Sequence, residues 1–296
     1  MRLSLAPIPF FWEPKGLRNF YTAIAESPID IVYLGETVCY KRRGLRLPDW
    51  LSIGDMLTAH GKEVVLSSLV LVDGEAEIRA TRRLCRNGRF LIEANDMSAV
   101  SLAHGAAFVA GATLNIYNEE ALRILAESGA TRFVAALELD RHALTTLRAA
   151  PASSIECEVL AFGRPALAYS ARCFSARSID RGKDACEWVC EGQAAGIPVA
   201  TQEDVPFLTI NGPQVHSAQI LNYLAELSQL EDAGVDILRI MPDAEHSLSV
   251  IEAFRAVLDR RQTAEAAMSV LESKGLARGT NGYWHGQAGQ TICPRS

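Results

Sequence analysis

Three cysteines, Cys173, Cys186 and Cys190, fall in one short stretch with the spacing C-x12-C-x3-C. Thiolates, not thiols, ligate metals, and neighbouring cations favour the thiolate. Between positions 164 and 183 the chain carries Arg164, Arg172, Arg177, Arg181 and Lys183 against one acid, Asp180. A helical turn over Cys186–Cys190 would point both thiols the same way, because positions i and i+4 share a face. Cys173 would then fold back to meet them. Cys39 is the candidate fourth ligand, since it too precedes a basic run: Lys41, Arg42, Arg43 and Arg46. The remaining cysteines have plainer readings: Cys85 packs at a helix end, Cys157 fills a strand and Cys293 lies near the terminus. Four thiolates serve zinc and iron–sulfur clusters alike. The plain alternative is a basic surface loop whose cysteines are small buried apolar residues.

Other chemistries find no support. There is no H-E-x-x-H helix, no legible Ser-His-Asp order, and no G-x-G-x-x-G after the first expected strand. With a formal charge of −6 and a pI near 5.6, the chain lacks the basic footprint of a nucleic-acid binder. No apolar run reaches the ~18 residues of a membrane span. The opening Met1–Pro9 is too short and Pro-broken for a signal peptide, so the expected compartment is the cytoplasm, where thiols are kept reduced.

Short apolar runs alternate with amphipathic stretches. Expected strands lie at Leu3–Pro7, Ile31–Leu34, Glu63–Ser67, Phe90–Glu93, Phe108–Ala110 with Thr113–Asn115, Phe133–Ala136 and Ile155–Phe162. Expected helix caps are Asp73, Asp96, Asn118 and Asp140, the last opening a helix to Ala150. Two later strands, Phe207–Ile210 and Ile237–Ile240, flank an expected long helix over Ser217–Ala233. This rhythm predicts an α/β fold: a single (β/α)8 TIM-barrel-like domain over 1–296, irregular in its last third, with an inserted cysteine-rich, cluster-binding loop over 163–205. Barrels carry their chemistry at the C-terminal ends of strands. There the sequence places Glu36, Ser67, Glu93, Asn115, Glu138, Arg164, Asn211 and Arg239, a polar mouth. Arg164, Asn211 and Arg239 are the candidate substrate-binding residues, Arg being suited to bidentate carboxylate contacts.

The segments Met1–Pro9, Tyr33–Cys39, Glu158–Arg164, Leu167–Cys173 and Arg239–Pro242 together resemble the collagenase-like peptidase family, along nearly the whole chain. Peptidase-type members carry a His-Gly pair and an extra Cys before Tyr-Ser. Here Phe162-Gly163 and Pro165–Ala168 stand instead, which points away from proteolysis and toward the cluster-binding branch. The resemblance implies a [4Fe-4S] cluster on Cys39, Cys173, Cys186 and Cys190. It further implies a heterodimer with the paralogue UbiU, a lipid-binding accessory partner, UbiT, and hydroxylation of a ubiquinone-precursor ring without molecular oxygen, with prephenate as oxygen donor. A peptidase or other hydrolase, and a structural four-cysteine zinc protein, remain the alternatives.

Overall fold

The computed structural model describes residues 1–294 except 43, 150–154, 194 and 277. Its first half repeats strand and helix: β1 (Arg2–Leu5), α1 (Pro14–Ala25), β2 (Ile31–Leu34), α2 (Leu47–Ala59), β3 (Glu63–Ser67), α3 (Glu75–Cys85), β4 (Leu91–Ala94), α4 (Met97–Ala103), β5 (Phe108–Ala110), α5 (Glu119–Glu127), β6 (Ala130–Val134), α6 (Arg141–Ala149) and β7 (Glu156–Gly163). The chain then departs through β8 (Ala166–Tyr169), α7 (Phe174–Arg177), β9 (Ile197–Ala200), β10 (Pro206–Asn211) and β11 (Gln214–Ser217). It returns through β12 (Leu221–Asn222), α8 (Leu227–Asp232), β13 (Ile237–Ile240), α9 (Ser247–Leu258) and α10 (Ala264–Ser273).

Two sheets result. Among the described residues, β1 to β7 and β13 pair in parallel and close into an eight-stranded barrel, because β13 bonds to both β7 and β1. The short β12 is an antiparallel addition to β7. The second sheet is antiparallel, in the order β8-β11-β10-β9. It extends past the expected inserted loop of 163–205, to Ser217. The expected long helix over Ser217–Ala233 is corrected: the span holds the end of β11, β12, a 3-10 turn at Leu224–Glu226 and α8. Phe207–Ile210 is a strand, but it belongs to the second sheet rather than the barrel.

Local chemistry sets the boundaries. Pro lies in the first turn of α1 and α2, where its missing N–H costs nothing. Asp96, Asn118 and Asp140 accept backbone N–H bonds at the starts of α4, α5 and α6. Ala150, the expected end of α6, lies outside the described residues. Asp73 does not cap α3: Gly74 holds that position, and Asp73 accepts an ion pair from Lys183 at 2.7 Å instead. Thr113–Asn115 does not extend β5, since Ala112–Leu114 forms a 3-10 turn.

Strand residues alternate, as a period of two requires. Leu3, Leu5, Val32, Leu34, Val64 and Leu66 pack outward against the helices. Ile31, Tyr33, Val65, Val109, Val134 and Ile237 face inward. Barrel interiors are usually filled with branched apolar side chains. This one also holds a column of charge. Arg2 and Arg132 both pair with Glu63 and Glu156, Arg132 donates to Tyr33 at 3.1 Å, Tyr33 donates to Glu158, and Arg239 donates to Glu158 at 2.7 Å.

Candidate functional site

The barrel mouth holds a cavity of about 230 Å³. Glu93, Asn115, Glu138, Tyr169 and Arg239 are among its polar lining residues. Arg239 is 8% exposed and stacks over the Tyr33 ring at 4.1 Å. Its Nη1 meets Glu93 at 2.7 Å and its Nε meets Glu158 at 2.7 Å. Burial opposes charging Arg239, but the two carboxylates outweigh it and raise its pKa well above the usual value. Burial likewise pushes the Glu158 carboxyl up, yet Arg239 and Arg132 hold it below the ordinary carboxylate range. Arg239 Nη2 has no hydrogen-bond partner among the described residues. A buried guanidinium N–H without an acceptor, on the wall of a cavity, is a donor available to a bound anion. Burial also raises the Tyr169 hydroxyl to about 12, so it stays protonated as a further donor at neutral pH.

The other residues expected at the mouth are distributed differently. Glu36 and Ser67 line a neighbouring groove. Asn211 is on β10, buried under the second sheet, where it accepts from Arg42 and donates to the Gln193 carbonyl at 2.9 Å. Arg164 directly follows β7, but its side chain is not part of the cavity lining; its carbonyl bonds the His216 ring at 2.9 Å.

All seven cysteines are free. Cys173 caps α7 and is buried, as is Cys190; Cys39 and Cys186 are half-buried. Cys186 to Cys190 is not the expected helical turn. Glu187 and Trp188 take φ of 48° and 52°, a left-handed conformation that costs non-glycine residues energy and needs outside support. Trp188 Nε1 provides some by donating to the Lys41 carbonyl at 2.8 Å. Lys41 in turn donates to the Lys183 carbonyl at 2.9 Å and to Asp184 at 2.6 Å. The Cys39 turn and the Cys186–Cys190 turn are thus sewn together, but among the described residues no three His, Cys, Asp or Glu side chains gather closely enough to hold a metal.

Arg42 stands between these segments and is 4% exposed. It donates to the Pro9 carbonyl at 3.1 Å and to Asn211, and stacks over Phe11. Its carboxylate neighbour is Glu36 at 3.7 Å. Burial pushes the Glu36 carboxyl up, and Arg42 pulls it back. Burial also raises the Cys39 and Cys190 thiols, and Arg42 pulls both back; Cys173 lies close enough to Cys190 to act on it as well. Arg42 Nε is without a partner among the described residues. Arg43, the next cation of the basic run, lies outside them. Arg42 is thus a buried cation within electrostatic reach of the Cys39 and Cys190 thiols.

A closed parallel barrel with a charged mouth, bearing a thiol-rich insert, defines the class of α/β-barrel protein. The model of peptidase family U32 matches residues 16–292, and the chain belongs to that family. Among solved structures it is similar to the U32 peptidase Mk0906, with 14% identity and a TM-score of 0.46 over 82% of this chain and 93% of that one. It is also similar to tryptophan synthase from M. tuberculosis, with 13% identity and a TM-score of 0.43 over 87% and 86%. A third is Plasmodium falciparum HPPK-DHPS, with 12% identity and a TM-score of 0.45 over 89% of this chain and 48% of that one. Among the described residues no helix is long and apolar enough to cross a membrane.

Proposed function

We propose that this chain is an iron–sulfur member of the U32 family, with Cys39, Cys173, Cys186 and Cys190 as ligands of a [4Fe-4S] cluster. It would fill the UbiV role in oxygen-independent ubiquinone biosynthesis, paired with UbiU as a heterodimer and assisted by UbiT in the cytoplasm. The observation that carries the reading is Arg42, buried beside the free thiols of Cys39 and Cys190 with its Nε unpartnered among the described residues. Such a cluster supplies one-electron chemistry or an iron site for a ligand. The ubiquinone role itself rests on the sequence resemblance. The mouth suits a carboxylate-bearing oxygen donor such as prephenate: Arg239 offers Nη2, Glu93 and Glu158 hold the guanidinium in place, and Tyr169 offers a hydrogen bond. Arg164 and Asn211 would act from outside the cavity, Asn211 by orienting Arg42.

Anaerobically purified protein should be brown, with a broad visible band and stoichiometric iron and sulfide. Cys39→Ala should lower bound iron, whereas Cys85→Ala, Cys157→Ala and Cys293→Ala should not. Colourless protein containing zinc would replace the cluster with a structural site. Arg239→Gln should cut anaerobic ring hydroxylation while iron content stays at the wild-type level.

Family membership favours one second reading, a collagenase-like peptidase. Among the described residues the bonded histidine rings meet carbonyls and carboxylates, not a hydroxyl or thiol that they could activate. Hydrolysis of gelatin by the metal-free protein, abolished by a single substitution at the mouth, would establish that reading instead.

A further inference from the structure

Beside the mouth cavity, a second and larger concavity of about 550 Å³ opens between the loop after β2, the start of α2, the end of β3 and the face of α3. Its volume lies within the about 300–1,000 Å³ typical of small-molecule sites. The walls are mostly apolar, with Leu45, Trp50, Leu69 and Leu84 supplying much of them. Two buried polar groups on this wall are unanswered. Ser67 is 1% exposed and its Oγ has no hydrogen-bond partner among the described residues; Arg42 Nε is in the same state. At the solvent edge stand Arg46 and Arg83, both exposed and neither in an ion pair within 4 Å among the described residues. Glu36 is the acid on the lining, set against three arginines.

We propose that this groove binds a small amphipathic anion, with its apolar body against Trp50, Leu69 and Leu84, its acidic head on Arg46 and Arg83, and a hydrogen-bonding group at its inner end on Ser67. An apolar wall favours any apolar body but cannot discriminate by charge, so the rim arginines set the selectivity for an acid. The groove shares no lining residue with the mouth cavity, and Arg42 borders both the groove and the cysteine turns.

The test uses the whole purified chain and two fluorescent probes of the same shape, the anionic 1-anilinonaphthalene-8-sulfonate and the uncharged N-phenyl-1-naphthylamine. The sulfonate should bind saturably, one per chain, and at least tenfold more tightly than the uncharged dye. Reversing the rim with Arg46→Glu and Arg83→Glu should weaken the sulfonate at least tenfold and leave the uncharged dye alone; both positions are exposed, so the fold should persist by circular dichroism. Leu84→Trp, which fills the groove, should weaken both dyes. Equal affinity for the two dyes, or sulfonate binding unchanged in the rim variant, would overturn the proposal. None of these outcomes bears on the iron content that tests the cluster.

Discussion

Arg239 and Arg42 are both buried guanidiniums, one in the barrel and one against the insert. Arg239 lies between two carboxylates, each at 2.7 Å, and Tyr33 supports its face. Arg42 is held mainly by carbonyl and amide oxygens, with Glu36 at 3.7 Å. The barrel arginine is therefore met by two close carboxylates, whereas Arg42 has one more distant carboxylate and two thiols nearby. Arg239 keeps one guanidinium nitrogen, Nη2, and Arg42 keeps one, Nε, without a partner among the described residues.

The largest expected effect follows from breaking the barrel's balance. Glu158→Leu leaves Arg239 and Arg132 short of a buried partner and should cost about 3–5 kcal/mol, read by urea unfolding. The double change Glu158→Leu with Arg239→Met should recover part of that loss. If the single variant is as stable as wild type, the column of charge is not structural.

Acid should separate the two regions. His216, in β11, is fully buried, and burial holds its pKa down near 4 against 6.5 when exposed. The unfolded state then binds the proton first, so stability from His216 is present above about 6.5 and lost as pH falls toward 4. That difference is worth on the order of 3 kcal/mol, at about 1.36 kcal/mol per pK unit. Glu158 has a depressed pKa, so its contribution persists above its unfolded value of 4.5 and is lost only below it. Amide exchange, corrected for intrinsic rates, should therefore quicken in β10 and β11 between pH 6.5 and 4.5 while β7 and β13 hold. His216→Asn should flatten the insert's response; equal sensitivity of both sheets would remove the distinction.

A smaller effect is expected from Trp188→Phe. Losing its bond to the Lys41 carbonyl should cost about 1 kcal/mol locally and quicken tryptic cleavage at Arg181 or Lys183, with global unfolding unchanged.

The barrel strands are legible because β1 to β7 and β13 announce themselves as short apolar runs, and helices such as α5 by a cap such as Asn118. The column of charge was less so. Glu156 and Glu158 alternate with Cys157 and Val159, and Arg132 sits two residues before Val134, which a period of two would have put on one face. Only closure of the sheet reveals that this face is the interior. Asn211 lies away from the mouth for a related reason: β10 has the composition of a barrel strand, and only its pairing with β9 and β11 assigns it elsewhere. Arg42 could be read as basic but not as buried, since its burial comes from Pro9 and Asn211, far away in sequence. The groove at Ser67 arises from four separate segments and leaves no mark in any one of them.

The closing pair of the barrel joins Arg2 to Ile237 and Leu5 to Ile240. During synthesis β1 emerges first and must wait for nearly the whole chain before its second neighbour exists. A nascent chain that stops at Gly163 exposes two unpaired edges, β1 and β7, each a template for wrong pairing. At about 5–20 residues per second, the interval from β7 to β13 lasts several seconds, and the insert must fold within it. The assembly step that chaperones would guard is thus the arrival of Ile237–Ile240, and fragments ending before it should aggregate rather than fold.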